Sequence, residues 1–554
     1  MARRPMLALL AALCLSAPAA ARESVARPNF LIIVADDLGY SDIGAFGGEI
    51  ETPNLDALAA RGLKLTGFHT APTCSPTRSM LLTGLDHHEA GVGNMAELIA
   101  PNQQGRPGHE GYLRADNATL AELLGAGGYR THYSGKWHLG VKPEQDPHNR
   151  GFQTSFALLP GGHNHFGLQI ARAPGGPGYE YTENGQHVST LPDTFYSSDY
   201  FATKLIDQFK AARAGPDGKK PFFAYLAFTA PHFPLQAPPE TIAKYKGRYD
   251  GGYEVLREQR LKRQVALGLL DPKVVPHGFD LAPRWDSLSP EDKAKASRRM
   301  EVYAAMVDRL DQNVGRVIAA LKESGELDNT VILFLADNGA EGSVLSERSM
   351  GMLNAVYAAA DNRLENIGKA SSYEALGPGW AEAATAPSWR VKAFQSEGGT
   401  RVVSILSGPG VRPAVGAAYT NVMDVVPTFL DLAHVPQPLG TLDGRAIKPI
   451  RGRSWADWLG NREAGRVYAP DQPIGEELFG GRALRQGDWK ITDIGDGKWR
   501  LFNVAADPGE TRDLAATEPA RLAALAKAWD AYAGQVGVIL PEPRQSILDR
   551  PSRR

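Results

Sequence analysis

Thiols are nearly absent from this chain of 554 residues, which has two cysteines, Cys14 and Cys74. Cys14 lies in MARRPMLALLAALCLSAPAAA, where two arginines precede an apolar run and small residues end at Ala21. That layout reads as a cleaved export signal over residues 1–21, because spanning a bilayer takes roughly 20 apolar residues. Leu13 stands where a lipoprotein anchor at Cys14 would need a small residue, and Arg3-Arg4 matches a twin-arginine signal only weakly. The expected location is the periplasm or the medium, without stable membrane association. Once Cys14 is removed, Cys74 has no disulfide partner, so an oxidising compartment cannot staple this fold.

An excess of one charge is missing too. Lys and Arg number 60 against 62 Asp and Glu, a net charge of −2, which leaves no electrostatic footprint for nucleic acid. Internal repeats and low-complexity tracts are absent. The basic run REQRLKR (257–263) reads as a solvated helix face. At this length one large α/β unit with a smaller appendage is the natural arrangement.

What is present is a set of short apolar runs that end in chemistry. NFLIIVADD (29–37) closes on Asp36 and Asp37, and NTVILFLADNG (329–339) closes on Asp337 and Asn338. Continuous apolar runs fit strands buried on both faces of a parallel sheet, and ligands of such sheets gather at the carboxyl ends of the strands. YRTHYSGKWHLG (129–140) runs into Lys136 and His138, and PFFAYLAFTAPHFP (221–234) runs into His232. WRVKAFQSEGGTRVVSILSGPG (389–410) puts Lys392 on a loop before a strand. Helical patterns alternate with these runs. DNATLAELLGAGG (116–128) is capped by Asp116 or Asn117, and MEVYAAMVDRLDQNVGRVIAALKESG (300–325) repeats apolar residues at three and four. The expected fold is a mixed or mostly parallel sheet covered on both faces.

CSPTRSMLLTG (74–84) places Cys74 at a helix start, with Pro76 in the first turn, Arg78 adding a fixed positive charge and Gly84 at the end. After Val422–Val435, which reads as the last helix of the large unit, comes a turn-rich linker, PQPLGTLDGRAIKPI (436–450). DWKITDIG (488–495) and KWRLFNVAADPGE (498–510) read as a hairpin, and ARLAALAKAWDAYAGQ (520–535) as an amphipathic helix. These features divide the chain into a signal (1–21), a large unit (22–435) and a smaller α+β unit (436–554).

The string CSPTR…LTG resembles the signature of type I sulfatases, C-x-P-S/T-R followed by L-T-G. GKWHLG (135–140), NRGF (149–152), APHFPLQAP (230–238), ADNGAEGS (336–343) and EGGTRV (397–402) are similar to sulfatase landmarks in the same order. DHHEAGVGNMAE (86–97) and GPGWAEAATAPSWRVKAF (377–394) resemble the bacterial arylsulfatase branch. The resemblance spans residues 29–514 or so.

It implies an alkaline-phosphatase-like α/β fold, a large mixed sheet flanked by helices with a small antiparallel sheet and helix at the C-terminus. It also implies an arylsulfatase in which a formylglycine-generating enzyme oxidises Cys74 to 3-oxoalanine. The hydrate of that aldehyde has two hydroxyls on one carbon. One takes the sulfuryl group, and the other expels sulfate and restores the aldehyde, which a simple alcohol could not do. By the same resemblance, Asp36, Asp37, Asp337 and Asn338 hold a divalent cation together with the modified Cys74. The oxygen donors suit calcium or magnesium, and calcium is expected because bacterial members resemble this chain most. Arg78, Lys136 and Lys392 surround the sulfate. His232 serves as acid for the leaving phenol or alcohol, and His138 as base in breakdown of the sulfated hemiacetal. His69, His87, His148 and His434 are expected to be structural. Two other readings stand beside this one: a phosphonate monoester or phosphodiester hydrolase, in which a histidine is usual where this chain has Asn338, and a catalytically silent sulfate binder.

Overall fold

The computed structural model describes residues 27–168, 181–347, 351–462 and 465–542. The expected signal over residues 1–21, Cys14 included, lies outside them. Among the described residues, ten strands form one mixed sheet. At its centre the Asn29–Ala35 strand runs parallel to Phe222–Ala227 on one side and Thr330–Ala336 on the other. Arg130–Lys136 adds in parallel beyond Phe222–Ala227, and Ser404–Ser407 turns antiparallel beyond Thr330–Ala336.

The central strands are buried along their whole length. This is why their sequences are continuous apolar runs: neither face of the sheet meets water. Each fully buried Leu, Ile or Phe of these strands contributes roughly 1.5–3 kcal/mol of apolar burial. The helices Ser197–Ala214, Pro290–Glu323 and Pro53–Arg61 pack on one another as one layer. Cys74–Thr83, Leu120–Ala126 and Val425–Ala433 form another, from which Phe429 stacks on Phe30 of the central strand.

Register decides where the chemistry emerges. Ala35 pairs with Ala336, so Asp36-Asp37 and Asp337-Asn338 leave the sheet side by side. Gly135 pairs with Ala227 in the same direction, which brings the continuations Lys136–His138 and Ala230–His232 to that edge. Gly135 is itself required, because its φ is +130° and a Cβ there would lie 1.9 Å from the Ala227 carbonyl oxygen.

The small C-terminal sheet orders Pro473–Leu478, Gly481–Gln486, Trp489–Asp493 and Arg500–Asn503 antiparallel. The Pro519–Val536 helix covers it through Leu525 and Trp529, packed on Leu484, Ile491 and Leu501.

Three sequence expectations are corrected. The 257–263 run is not simply a solvated face: Arg257 and Arg260 are buried, and Arg260 pairs with Asp42 and Glu49 at 2.5 and 2.8 Å. Neither Asp116 nor Asn117 caps the following helix. Thr119 does, accepting from the Glu122 N–H while Glu122 accepts from the Thr119 N–H. The long helix begins earlier than expected, at Pro290, because the Ser289 side chain caps it by accepting from the Asp292 N–H.

Candidate active site

Asp36, Asp37, Asp337 and Asn338 are all within 1% of full burial at the sheet edge. Burying charge costs several kcal/mol per ion unless it is paired, and here three cations pair with three carboxylates. Lys136 Nζ donates to Asp36 Oδ2 at 2.6 Å. Lys392 Nζ donates to Asp37 at 2.7–2.9 Å. Arg78 Nε and Nη2 both reach Asp337 Oδ2, at 3.1 and 2.8 Å, and its Nη1 donates to the Lys136 carbonyl at 2.7 Å.

The Cys74–Thr83 helix starts behind Thr73, is buried throughout and ends on Gly84 in the left-handed region. It points Cys74 Sγ at Asp36 Oδ1, 3.3 Å away, and at Asp37 Oδ1, 3.9 Å away. Backbone bonds lock the surrounding loops to one another. Asp36 N–H donates to the Ala230 carbonyl, Lys392 N–H to Ala340 and Ala393 N–H to Pro72. Asp37 adopts a left-handed φ of 67°, a strained conformation of the kind that clusters at functional sites.

The carboxylates do not behave alike. Burial would raise Asp36, but Lys136, His232, Arg78 and Lys392 together hold it well below the usual carboxylate range. Asp37 is pushed up to about 7 by burial and by Asp36, Glu341 and Asp337, with Lys392 opposing. Burial raises Asp337 as well, with Asp36 adding to it. Burial and Asp36 push the Cys74 thiol well up, the reverse of what a helix start does for a reactive thiolate.

The residues present fit a hard divalent cation. Asn338 Nδ2 donates to Asp37 Oδ1 and to the Gly339 carbonyl, which leaves Asn338 Oδ1 buried without a partner. With the carboxylates of Asp36, Asp37 and Asp337, the Asn338 amide makes an oxygen-donor set of the type calcium and magnesium take. Asp36, Asp37, Cys74 and His232 each offer a ligand atom within 4.8 Å of the others.

His232 Nδ1 bonds the Phe233 carbonyl at 2.6 Å, so its Nε2 is the nitrogen turned to Asp37 Oδ2, 3.7 Å away. Burial lowers its pKa well below the usual imidazole value. His138 has a left-handed φ of 58°, and its N–H donates to the Leu159 carbonyl. Its Nε2 meets Glu97 Oε1 at 3.0 Å, while its Nδ1 is buried without a partner.

Sequence reasoning missed several neighbours. Glu97 ends the DHHEAGVGNMAE segment, yet nothing in its spacing places it beside His138. Glu341 comes within 3.4 Å of Lys392. Gly161 lies so close to His138 that a Cβ there would be 2.6 Å from the ring. Of the four histidines expected to be structural, His69 faces Glu397, His87 Nδ1 meets the Val92 carbonyl, and His434 ends a helix in a left-handed turn.

A family model described as Sulfatase matches residues 28–435. A protein of Schizosaccharomyces pombe described as an uncharacterised sulfatase is 46% identical over 529 residues, covering 93% of this chain and 94% of the relative. An arylsulfatase of Klebsiella aerogenes is 38% identical over 437 residues, or 77% of this chain and 91% of the relative. Among solved structures, Ps i-CgsB has a TM-score of 0.63 at 24% identity, covering 92% of this chain and 93% of its own. A structure in complex with its substrate D-glucosamine-2-N,6-O-disulfate has a TM-score of 0.60 at 20% identity, covering 94% and 100%. At these identities the two structures share the fold.

Proposed function

The chain belongs to the sulfatase family and is a sulfuric ester hydrolase, and from that premise we propose that it cleaves aryl sulfate monoesters, with alkyl sulfates as a further class. The observation that carries this reading is the convergence of Cys74 with Asp36, Asp37, Asp337 and Asn338 beneath three buried cations. The proposal includes conversion of Cys74 to 3-oxoalanine by a formylglycine-generating enzyme.

Asp36, Asp37, Asp337 and the free Asn338 oxygen would hold calcium, with magnesium as the alternative. Arg78, Lys136 and Lys392 face Asp36, Asp37, Asp337 and Glu341, so a bound divalent ion would supply the positive charge needed to receive a sulfate ester and an ionised nucleophile. Arg78, Lys136 and Lys392 would orient the sulfate oxygens and keep the nucleophile at hand. His232, with Nδ1 committed to the Phe233 carbonyl, would present Nε2 to the leaving-group oxygen, and His138 would take the proton in the second half of the reaction.

An apolar cluster beside His232 supports an aromatic leaving group. Phe233 stacks on the His232 ring at 4.1 Å and packs with Leu345, Ala375, Tyr357 and Tyr373. The proposal further takes residues 1–21 as an export signal, giving a periplasmic or secreted enzyme, and places the boundary of the small C-terminal unit at 435/436. No helix of the described residues is long and apolar enough to cross a membrane.

The test compares turnover of p-nitrophenyl sulfate and a phenyl phosphonate ester, with and without a chelator. The expected result is sulfate hydrolysis that chelation abolishes and calcium restores. Preferential turnover of the phosphonate would favour the phosphonate hydrolase, and tight sulfate binding without turnover of either ester would favour the silent binder.

A further inference from the structure

The Ala96-Glu97 end of the DHHEAGVGNMAE segment has no part in the metal set or the sulfate cradle, yet it meets His138. Glu97 Oε1 lies 3.0 Å from His138 Nε2. The ring's other nitrogen is buried and has no partner. A neutral imidazole has one N–H and one lone pair, and an ionised carboxylate can only accept, so this contact assigns the proton to Nε2 and the lone pair to Nδ1. Burial would raise the Glu97 carboxyl, but its contact with His138 holds it below the usual carboxylate range, so it is ionised at working pH.

The ring has little freedom to choose otherwise. His138 is held by its N–H to the Leu159 carbonyl and by the preceding Trp137 N–H to the Leu158 carbonyl. Gly161 lies against the ring on the Cε1–Nε2 edge, where a side chain would collide. Glu97 is 34% exposed at its side chain while His138 is 6% exposed, so the carboxylate sits on the solvent side of the ring.

We propose that Glu97 is the positioning residue of His138: by accepting the Nε2–H it fixes the tautomer in which Nδ1 is the base of the second half-reaction. This rests on the sulfatase mechanism proposed above. In that step Nδ1 takes the proton of the free hydroxyl at position 74. The O–H electron pair forms the C=O bond, the C–O bond to the sulfate breaks, and its electron pair leaves with sulfate. The resulting imidazolium lies against the Glu97 carboxylate, the arrangement by which a carboxylate supports a histidine base in other hydrolases.

Glu97→Ala and Glu97→Gln test this, since the first removes the acceptor and the second can donate to Nε2 and reverse the tautomer. The readouts are the pre-steady-state burst of p-nitrophenol, steady-state turnover, the mass of the peptide carrying residue 74 after quenching, and the ring ¹⁵N NMR of His138 in the resting protein. The expected result is a burst of near wild-type rate, turnover reduced about 100-fold, a retained sulfuryl group on the peptide, and loss of the Nε2–H signature. A preserved burst also shows that the variants fold. Turnover within about twofold of wild type, or a burst that falls in parallel with turnover, overturns the assignment. If wild-type protein turns over with an unmodified thiol at position 74, the sulfatase mechanism itself fails, whatever the variants do.

Discussion

Two of the buried charge clusters among the described residues are built in different ways. Between the large unit and the C-terminal sheet, His88 bonds Asp86 and Glu477 through its two ring nitrogens at 2.9 and 3.0 Å. Close by, Lys490 joins Glu397 and Glu510 at 2.8 and 3.1 Å, His69 meets Glu397, and Tyr532 donates to Asp86. Each cation there lies between two carboxylates, and each set ties residues of the large unit to residues of the C-terminal sheet. At the strand ends, by contrast, Lys136, Lys392 and Arg78 each take one of Asp36, Asp37 and Asp337, and Asp37 is crowded by further carboxylates. The first cluster holds the large unit and the C-terminal sheet together. The second gathers its charge around Cys74, where the proposed metal and substrate would lie.

Several perturbations sharpen that contrast. Cys74→Ala is expected to reduce turnover by at least about 10⁴-fold, because it removes the nucleophile's precursor. The melting temperature should stay near wild type, and retained turnover would remove Cys74 from the mechanism. Asp337→Ala should abolish stoichiometric calcium binding, measured by calorimetry. It also strips Arg78 of its carboxylate, so normal stoichiometry would contradict the ligand set.

Lys490→Met should do the reverse. Leaving Glu397 and Glu510 buried without their cation should cost about 3–5 kcal/mol in thermal or denaturant unfolding, while calcium stoichiometry in the folded fraction stays unchanged. Loss of calcium in this variant, with stability intact, would exchange the roles of the two clusters.

The smallest effect is expected from pH. Burial would lower the His88 pKa, but Asp86 and Glu477 raise it to about 9. The ordinary value is near 6.5, so this contribution to stability is fully present below about pH 6.5 and is lost as pH rises through 9. The melting temperature should therefore fall between pH 7 and 10, and His88→Gln should flatten the fall. An equal fall in both proteins would remove His88 from the clamp.

The strand-end cluster was legible because burial leaves a local trace. A strand covered on both faces must be apolar throughout, so polar residues that close NFLIIVADD or TVILFLADNG stand out, and parallel pairing brings them to one edge. The other cluster leaves no such trace. His88 and Glu477 are 389 positions apart, and no periodicity joins a helix start to a distant sheet. Arg260 was misread for the same reason: its partners, Asp42 and Glu49, lie far away in sequence. Glu97 fell between these cases, in a segment marked by resemblance whose contact with His138 depends on how two loops fold back together.

The central claim is that Cys74 is the precursor of the working nucleophile. The most direct measurement is the mass of the tryptic peptide from Leu65 to Arg78 in active protein, taken alongside the specific activity of the same sample. The account predicts that the thiol mass is replaced by that of the aldehyde or its hydrate, with activity proportional to the converted fraction. Full sulfate ester turnover from protein whose residue 74 remains an unmodified cysteine would contradict it.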